Sequence, residues 1–62
     1  MRFELYLANQ THVTITDKEH DSQNVEEFVE NYYTTPPNWH RIGPDTLLNL
    51  DNVVKIVALP QK

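Results

Sequence analysis

Ser22 is the only serine of this 62-residue chain, and His12, His20 and His40 are its only histidines. As the only serine, Ser22 is the one hydroxyl of its kind to weigh as a nucleophile, and it lies in the acidic loop just before the predicted helix. Nucleophilic catalysis needs a base within hydrogen-bond reach of the hydroxyl and a third group to orient that base. Nothing in this spacing supplies such an arrangement, and turn and capping chemistry before a helix accounts for Ser22. The histidines, with Asp17, Glu19 and Asp21 nearby, lack both helix-face spacing and the compact ligand pattern of a tetrahedral metal site. Gly43 is the only glycine, so no glycine-rich phosphate loop exists. A domain this short has little room for a pocket of the usual size, about 300 Å³ or more. The expectation is a protein that is not an enzyme and holds no metal or cofactor.

Charge offers a second kind of chemistry. Net charge is −4, and residues 17–31 concentrate it: Asp17, Glu19, Asp21, Glu26, Glu27 and Glu30 stand against Lys18 alone. Such a run is either a solvated helix face with its loop or a patch that steers toward a basic partner. On the second reading Glu26, Glu27 and Glu30 contact a basic, nucleic-acid-binding surface of a target protein. Duplex nucleic acid itself is excluded as a partner, because its binders cluster Lys and Arg.

The third candidate is the aromatic stretch YYTTPPNWH, residues 32–40. Pro36 and Pro37 end the preceding helix and stiffen the crossover. Tyr32 completes a buried helical stripe, whereas Tyr33 falls off it. Under strict alternation Trp39 and Arg41 share one face and His40 and Ile42 the other. Both Trp39 and Ile42 favour burial, so either the strand is bulged or one of them lies at an interface. Tyr33, Trp39, His40 and Arg41 together have the composition of an interface hot spot. They are the expected protein-contact site.

These residues need elements to carry them. RFELYLA and THVTIT alternate with period two and read as a hairpin around Ala8–Gln10. In NVEEFVENYY, Val25, Phe28, Val29 and Tyr32 make the stripe of a helix over residues 25–33. Asn24 is its N-cap and Glu27 completes a capping box. NWHRI is a strand, GPDT a turn, and TLLNL and NVVKIVAL form a final hairpin around Asp51-Asn52. In that hairpin Leu50 pairs with Val53, Leu48 with Lys55 and Thr46 with Val57.

The fold expected is a single α+β domain spanning 1–62. It has a small antiparallel sheet of four to five strands in the order ββαβββ, open or curled toward a barrel, and one short helix packed on one face. Its core is Phe3, Leu5, Leu7, Val13, Ile15, Val25, Phe28, Val29, Val54 and Ile56. Hydrophobic residues make up 39% and charged residues 23% of the chain, a globular balance. No apolar run reaches the roughly 18 residues of a membrane span, and cysteine is absent, which fits a cytoplasmic protein with no membrane partner. Small domains without disulfides or metals gain stability by association. The paired strands also leave a surplus apolar face of Leu48, Leu50, Val53, Val57 and Leu59. A homodimer follows, and with it a non-catalytic protein-interaction module.

Overall fold

A computed structural model of the chain describes residues 1–60. Arg2–Leu7 (β1) and His12–Thr16 (β2) form the expected antiparallel hairpin, with Phe3 opposite Ile15 and Leu5 opposite Val13. Three residues close it. The Gln10 N–H donates to the Leu7 carbonyl at 3.0 Å and the Leu7 N–H to the Thr11 carbonyl at 2.8 Å, with Gln10 at φ 70°. That is a tight turn followed by one left-handed residue, a common geometry for a three-residue hairpin loop.

The helix (α1) spans Val25–Tyr32, and Tyr33 is its C-cap. Asn24 Oδ1 accepts the Glu27 N–H at 2.8 Å, as an N-cap should. The return arm of the capping box lands one residue early, where Glu27 Oε1 accepts the Gln23 N–H at 2.8 Å. Phe28 is fully buried between Phe3 and Tyr32, tilted against the first ring at a centroid distance of 4.6 Å and stacked on the second at 4.5 Å. This aromatic ladder joins the helix to the first strand.

The C-terminal half departs from the expected pairing. Trp39–Gly43 (β3) and Thr46–Asn49 (β4) form a two-stranded hairpin of their own. Val53–Leu59 (β5) pairs with β1, giving a three-stranded antiparallel sheet in the order β2-β1-β5. The sequential order ββαβββ stands, but the strands divide into two sheets and close no barrel. Asp51-Asn52 is not a hairpin turn. Asn49 Oδ1 accepts the Asp51 N–H at 3.0 Å, and Leu50–Asn52 winds into a single 3-10 turn. A two-residue hairpin loop favours a glycine able to take positive φ, and neither residue is one. The turn instead drives Leu50 into the core and delivers β5 to the free edge of β1.

The core therefore differs at its margins. Phe3, Leu5, Ile15 and Phe28 are buried as expected, and Leu50 joins them. Val13, Val25 and Ile56 pack partly buried against this cluster. Leu7 is half-buried, while Val29 and Val54 are exposed. Leu48 and Val53 also pack on the core. Leu48, Leu50 and Val53 therefore do not join Val57 and Leu59 in the surplus apolar face of the expected hairpin. Lys55 opposes Tyr6 across the β1–β5 pair, and its Nζ sits over the Tyr6 ring, 5.0 Å from the centroid. Facing away from the core, it interrupts nothing.

Candidate functional site

The outer face of the β3–β4 hairpin carries the strongest candidate. Trp39 lies opposite Asn49 and Arg41 opposite Leu47, which places Trp39, Arg41 and Leu47 on one face. Trp39 is 57% exposed and Leu47 52% exposed, values unusual for side chains this large in a small domain. The register shifts between Arg41 and Gly43, so Ile42 is the extra residue of a bulge and is exposed as well. Of the two outcomes that alternation left open, the strand is bulged, and both Trp39 and Ile42 face solvent. The Arg41 guanidinium donates to the Pro44 carbonyl at 3.0 Å, which holds its charge beside this face.

The residue before Trp39 fixes where the face begins. Asn38 is buried, and its Oδ1 accepts the Thr34 N–H at 2.9 Å and the Thr34 hydroxyl at 3.1 Å. The Asn38 N–H and side-chain amide donate to the two Asp51 carboxylate oxygens at 3.0 and 2.9 Å. Its carbonyl accepts the Leu50 N–H at 2.8 Å. Every polar group of Asn38 is thus engaged, and these bonds tie the crossover, the 3-10 turn and the start of β3 together.

Two expected contact residues turn inward. His40 is half-buried with its ring edge-on to Tyr32 at 5.2 Å. Tyr33 is half-buried and donates its hydroxyl to the Leu50 carbonyl at 2.8 Å. Burial, aided by the Asp51 charge, raises the Tyr33 pKa above its ordinary value. Of the four aromatic-cluster residues, only Trp39 and Arg41 meet on a solvent face. Leu47 and Ile42 were missed, and the only signal was the poor fit of Ile42 to strict alternation.

The acidic segment is also divided. Glu26 and Glu30 are exposed, and among the described residues neither meets a Lys or Arg within salt-bridge distance. Glu27 is exposed but occupied with the Gln23 N–H. Asp17 does not belong to the patch, because it is buried at the base of the loop before the helix. Its Oδ1 accepts the Tyr32 hydroxyl at 2.6 Å and the His20 N–H at 3.0 Å, and its Oδ2 accepts the Ser22 N–H at 2.8 Å. Burial alone would push its carboxyl up. Hydrogen bonds from Ser22, Tyr32 and His20 outweigh burial and hold it well below the usual carboxylate range. Burial and the Asp17 carboxylate together push the Tyr32 hydroxyl far up.

The same network decides what Asp17, His20 and Ser22 can do. Ser22 has no solvent exposure, and its Oγ accepts the Asn31 side-chain amide at 3.0 Å. The His20 ring packs edge-on against Tyr32 at 5.1 Å. A hydroxyl sealed from substrate cannot attack one, so the trio anchors a loop. Among the described residues no three metal-ligating side chains converge. An open groove of about 300 Å³ runs between α1 and β5, lined by Val25, Val29, Tyr33, Val53, Val54 and Ile56 along with Lys55. Tyr33 and Lys55 are the titratable side chains of its lining. Among the described residues no helix is long and apolar enough to cross a membrane.

No protein-family model, curated protein or solved structure matches this chain.

Proposed function

We propose that this protein is a non-catalytic interaction module that self-associates and offers the Trp39–Arg41–Leu47 face to a protein partner. The observation that carries the reading is the exposure of Trp39 on a strand whose first turn of chain is pinned through Asn38. A large ring on a rigid backbone loses little entropy on docking, and Trp and Arg are the residues that most often dominate binding energy. The test uses Trp39→Ala and Leu47→Arg in the full chain. Both variants should fold as the parent does while partner capture falls at least tenfold. Unaltered capture by both variants would overturn the reading.

A second reading has its own support. Glu26 and Glu30 are one helical turn apart, exposed and unneutralised, so α1 presents a negative stripe to solvent. On this reading the module is an acidic effector that covers the nucleic-acid-binding surface of a basic target. Association should then weaken steeply with added salt, and Glu26→Lys with Glu30→Lys should abolish it. Binding through the Trp39 face should respond far less to salt.

A further inference from the structure

The groove between α1 and β5 has an apolar floor of two kinds of residue. Val25, Val53 and Ile56 line it while also packing on the core. Val29 and Val54 line it without joining the core, and they are 40% and 70% exposed. Its volume of about 300 Å³ is at the lower limit for a small-molecule site. It suits one or two aliphatic side chains of a larger partner.

Charge around the floor decides what can lie on it. Tyr33 lines the groove and keeps the helical path, since its N–H donates to the Val29 carbonyl at 2.9 Å. Glu26, Glu30 and Tyr33 follow one another at i, i+4 and i+7, so both carboxylates share a helix stripe with a lining residue. They are about 6 Å apart along the helix axis. Both are exposed, and among the described residues neither has a Lys or Arg within salt-bridge distance. The Asp51 charge also bears on Tyr33. Lys55 is the one cation of the lining, and its ammonium is held over the Tyr6 ring, 5.0 Å from the centroid. The groove is apolar with a negative rim.

We propose that this groove takes a basic amphipathic segment of a target protein. Aliphatic side chains of the segment cover Val29 and Val54, and its Lys or Arg side chains reach Glu26 and Glu30. This rests on the acidic-effector reading above and names its surface and the chemistry of its partner. Apolar anchors seated in a groove are a recurring mode of peptide recognition, and the flanking charges select which peptide enters. An anionic amphiphile such as a fatty acid meets the negative rim with no free cation to neutralise it. A second copy fits poorly too. The chain carries a net charge of −4, and its exposed apolar face around Trp39 brings only Arg41, already bonded to the Pro44 carbonyl.

Titration of the full-length protein with three short designed peptides, followed by amide and methyl NMR shifts, tests this. The probe is an amphipathic peptide of leucine and lysine. One control replaces its leucines by serine, and the other replaces its lysines by glutamate. The probe should shift the Val29 and Val54 signals, and binding should weaken at least about fivefold when salt rises from about 50 to 300 mM. Val29→Ser with Val54→Ser changes exposed side chains and should keep the parent's circular dichroism spectrum while weakening the probe at least about fivefold. Glu26→Gln with Glu30→Gln should weaken it at least about tenfold, and Trp39→Ala should leave it unchanged. A serine–lysine control that binds as tightly as the probe overturns the groove, while the acidic stripe survives. A leucine–glutamate control that binds as tightly, or a probe indifferent to the glutamine changes, overturns the charge selection and the acidic-effector reading with it. No shift from any peptide at about 1 mM, a concentration that reveals even weak binding, overturns both.

Discussion

Asn38 and Asp51 hold each other twice, the backbone N–H of one and its side-chain amide donating to the two carboxylate oxygens of the other at 3.0 and 2.9 Å. The pair spans thirteen residues of sequence and joins the crossover to the turn that launches β5. Hydrogen bonds to a charged acceptor contribute more than neutral ones, about 1.5–3 kcal/mol each. Asn38 is buried, so removing Asp51 leaves two donors with nowhere to turn. Asp51→Ala is therefore expected to lower unfolding stability by about 2–3 kcal/mol in urea titrations. A double-mutant cycle with Asn38→Ala should give a coupling of at least about 1 kcal/mol. Additive single changes would show that the two residues act independently.

Asp17 and Tyr32 set opposite limits on the pH range of the fold. The Asp17 pKa is depressed in the folded chain, so its contribution is present above the unfolded value of about 3.9 and is lost as pH falls through the folded one. The Tyr32 pKa is raised, so its contribution is full below about 10 and is lost as pH rises through the folded value. The stability curve should be flat between these limits where these two groups are concerned. Asp17→Asn should flatten the acid limb and lower mid-range stability by roughly 2–3 kcal/mol. Tyr32→Phe should soften the alkaline limb and, by removing one donor, weaken the acid limb too. An acid limb unchanged in Asp17→Asn would place its origin in other carboxylates.

What the sequence discloses follows the range of the interaction. The β1–β2 hairpin, the Asn24 cap and the stop at the prolines depend on residues within four or five positions, and these are legible. The partner of β5 is not. Its residues are apolar on both sides, and such a strand suits β4 or β1 equally until the whole core is assembled. Leu50 and Asn38 acquire their roles only through that assembly. At the candidate site, composition singles out Trp39 and Arg41. Tyr33 and His40 have the same chemical character, yet the helix end and the register of β3 turn them inward. Asp17 reads as one acid among six, and only its three donors, drawn from a loop and a helix, set it apart.

Gln10 occupies the left-handed region at φ 70°, where a Cβ is unfavourable. Glycine carries no such penalty there, although it raises the entropy of the unfolded chain. The balance favours the replacement at a position of this kind, so Gln10→Gly should raise stability by about 0.5–1 kcal/mol. Its side chain is exposed, and no other effect is expected. A thermal melt that shifts downward would mean that the turn draws support from the glutamine side chain.

Leu50 and Trp39 reverse the ranking that size alone assigns them. Trp39 is the larger and more hydrophobic surface, but more than half of it lies in solvent, whereas Leu50 is almost wholly enclosed. Truncating Leu50 removes buried methyl groups and leaves a cavity among Phe3, Leu5 and Phe28, which costs about 2–5 kcal/mol. A domain of this length has only about 3–9 kcal/mol of stability in total. Leu50→Ala should therefore melt far below the parent or fail to fold at moderate temperature. Trp39→Ala forms no cavity, and its unfolding free energy should stay within about 0.5–1 kcal/mol of the parent's. Equilibrium urea denaturation of both variants, followed by circular dichroism, makes the comparison directly. A loss for Trp39→Ala as large as that for Leu50→Ala would make the tryptophan a structural residue and remove it from the contact face.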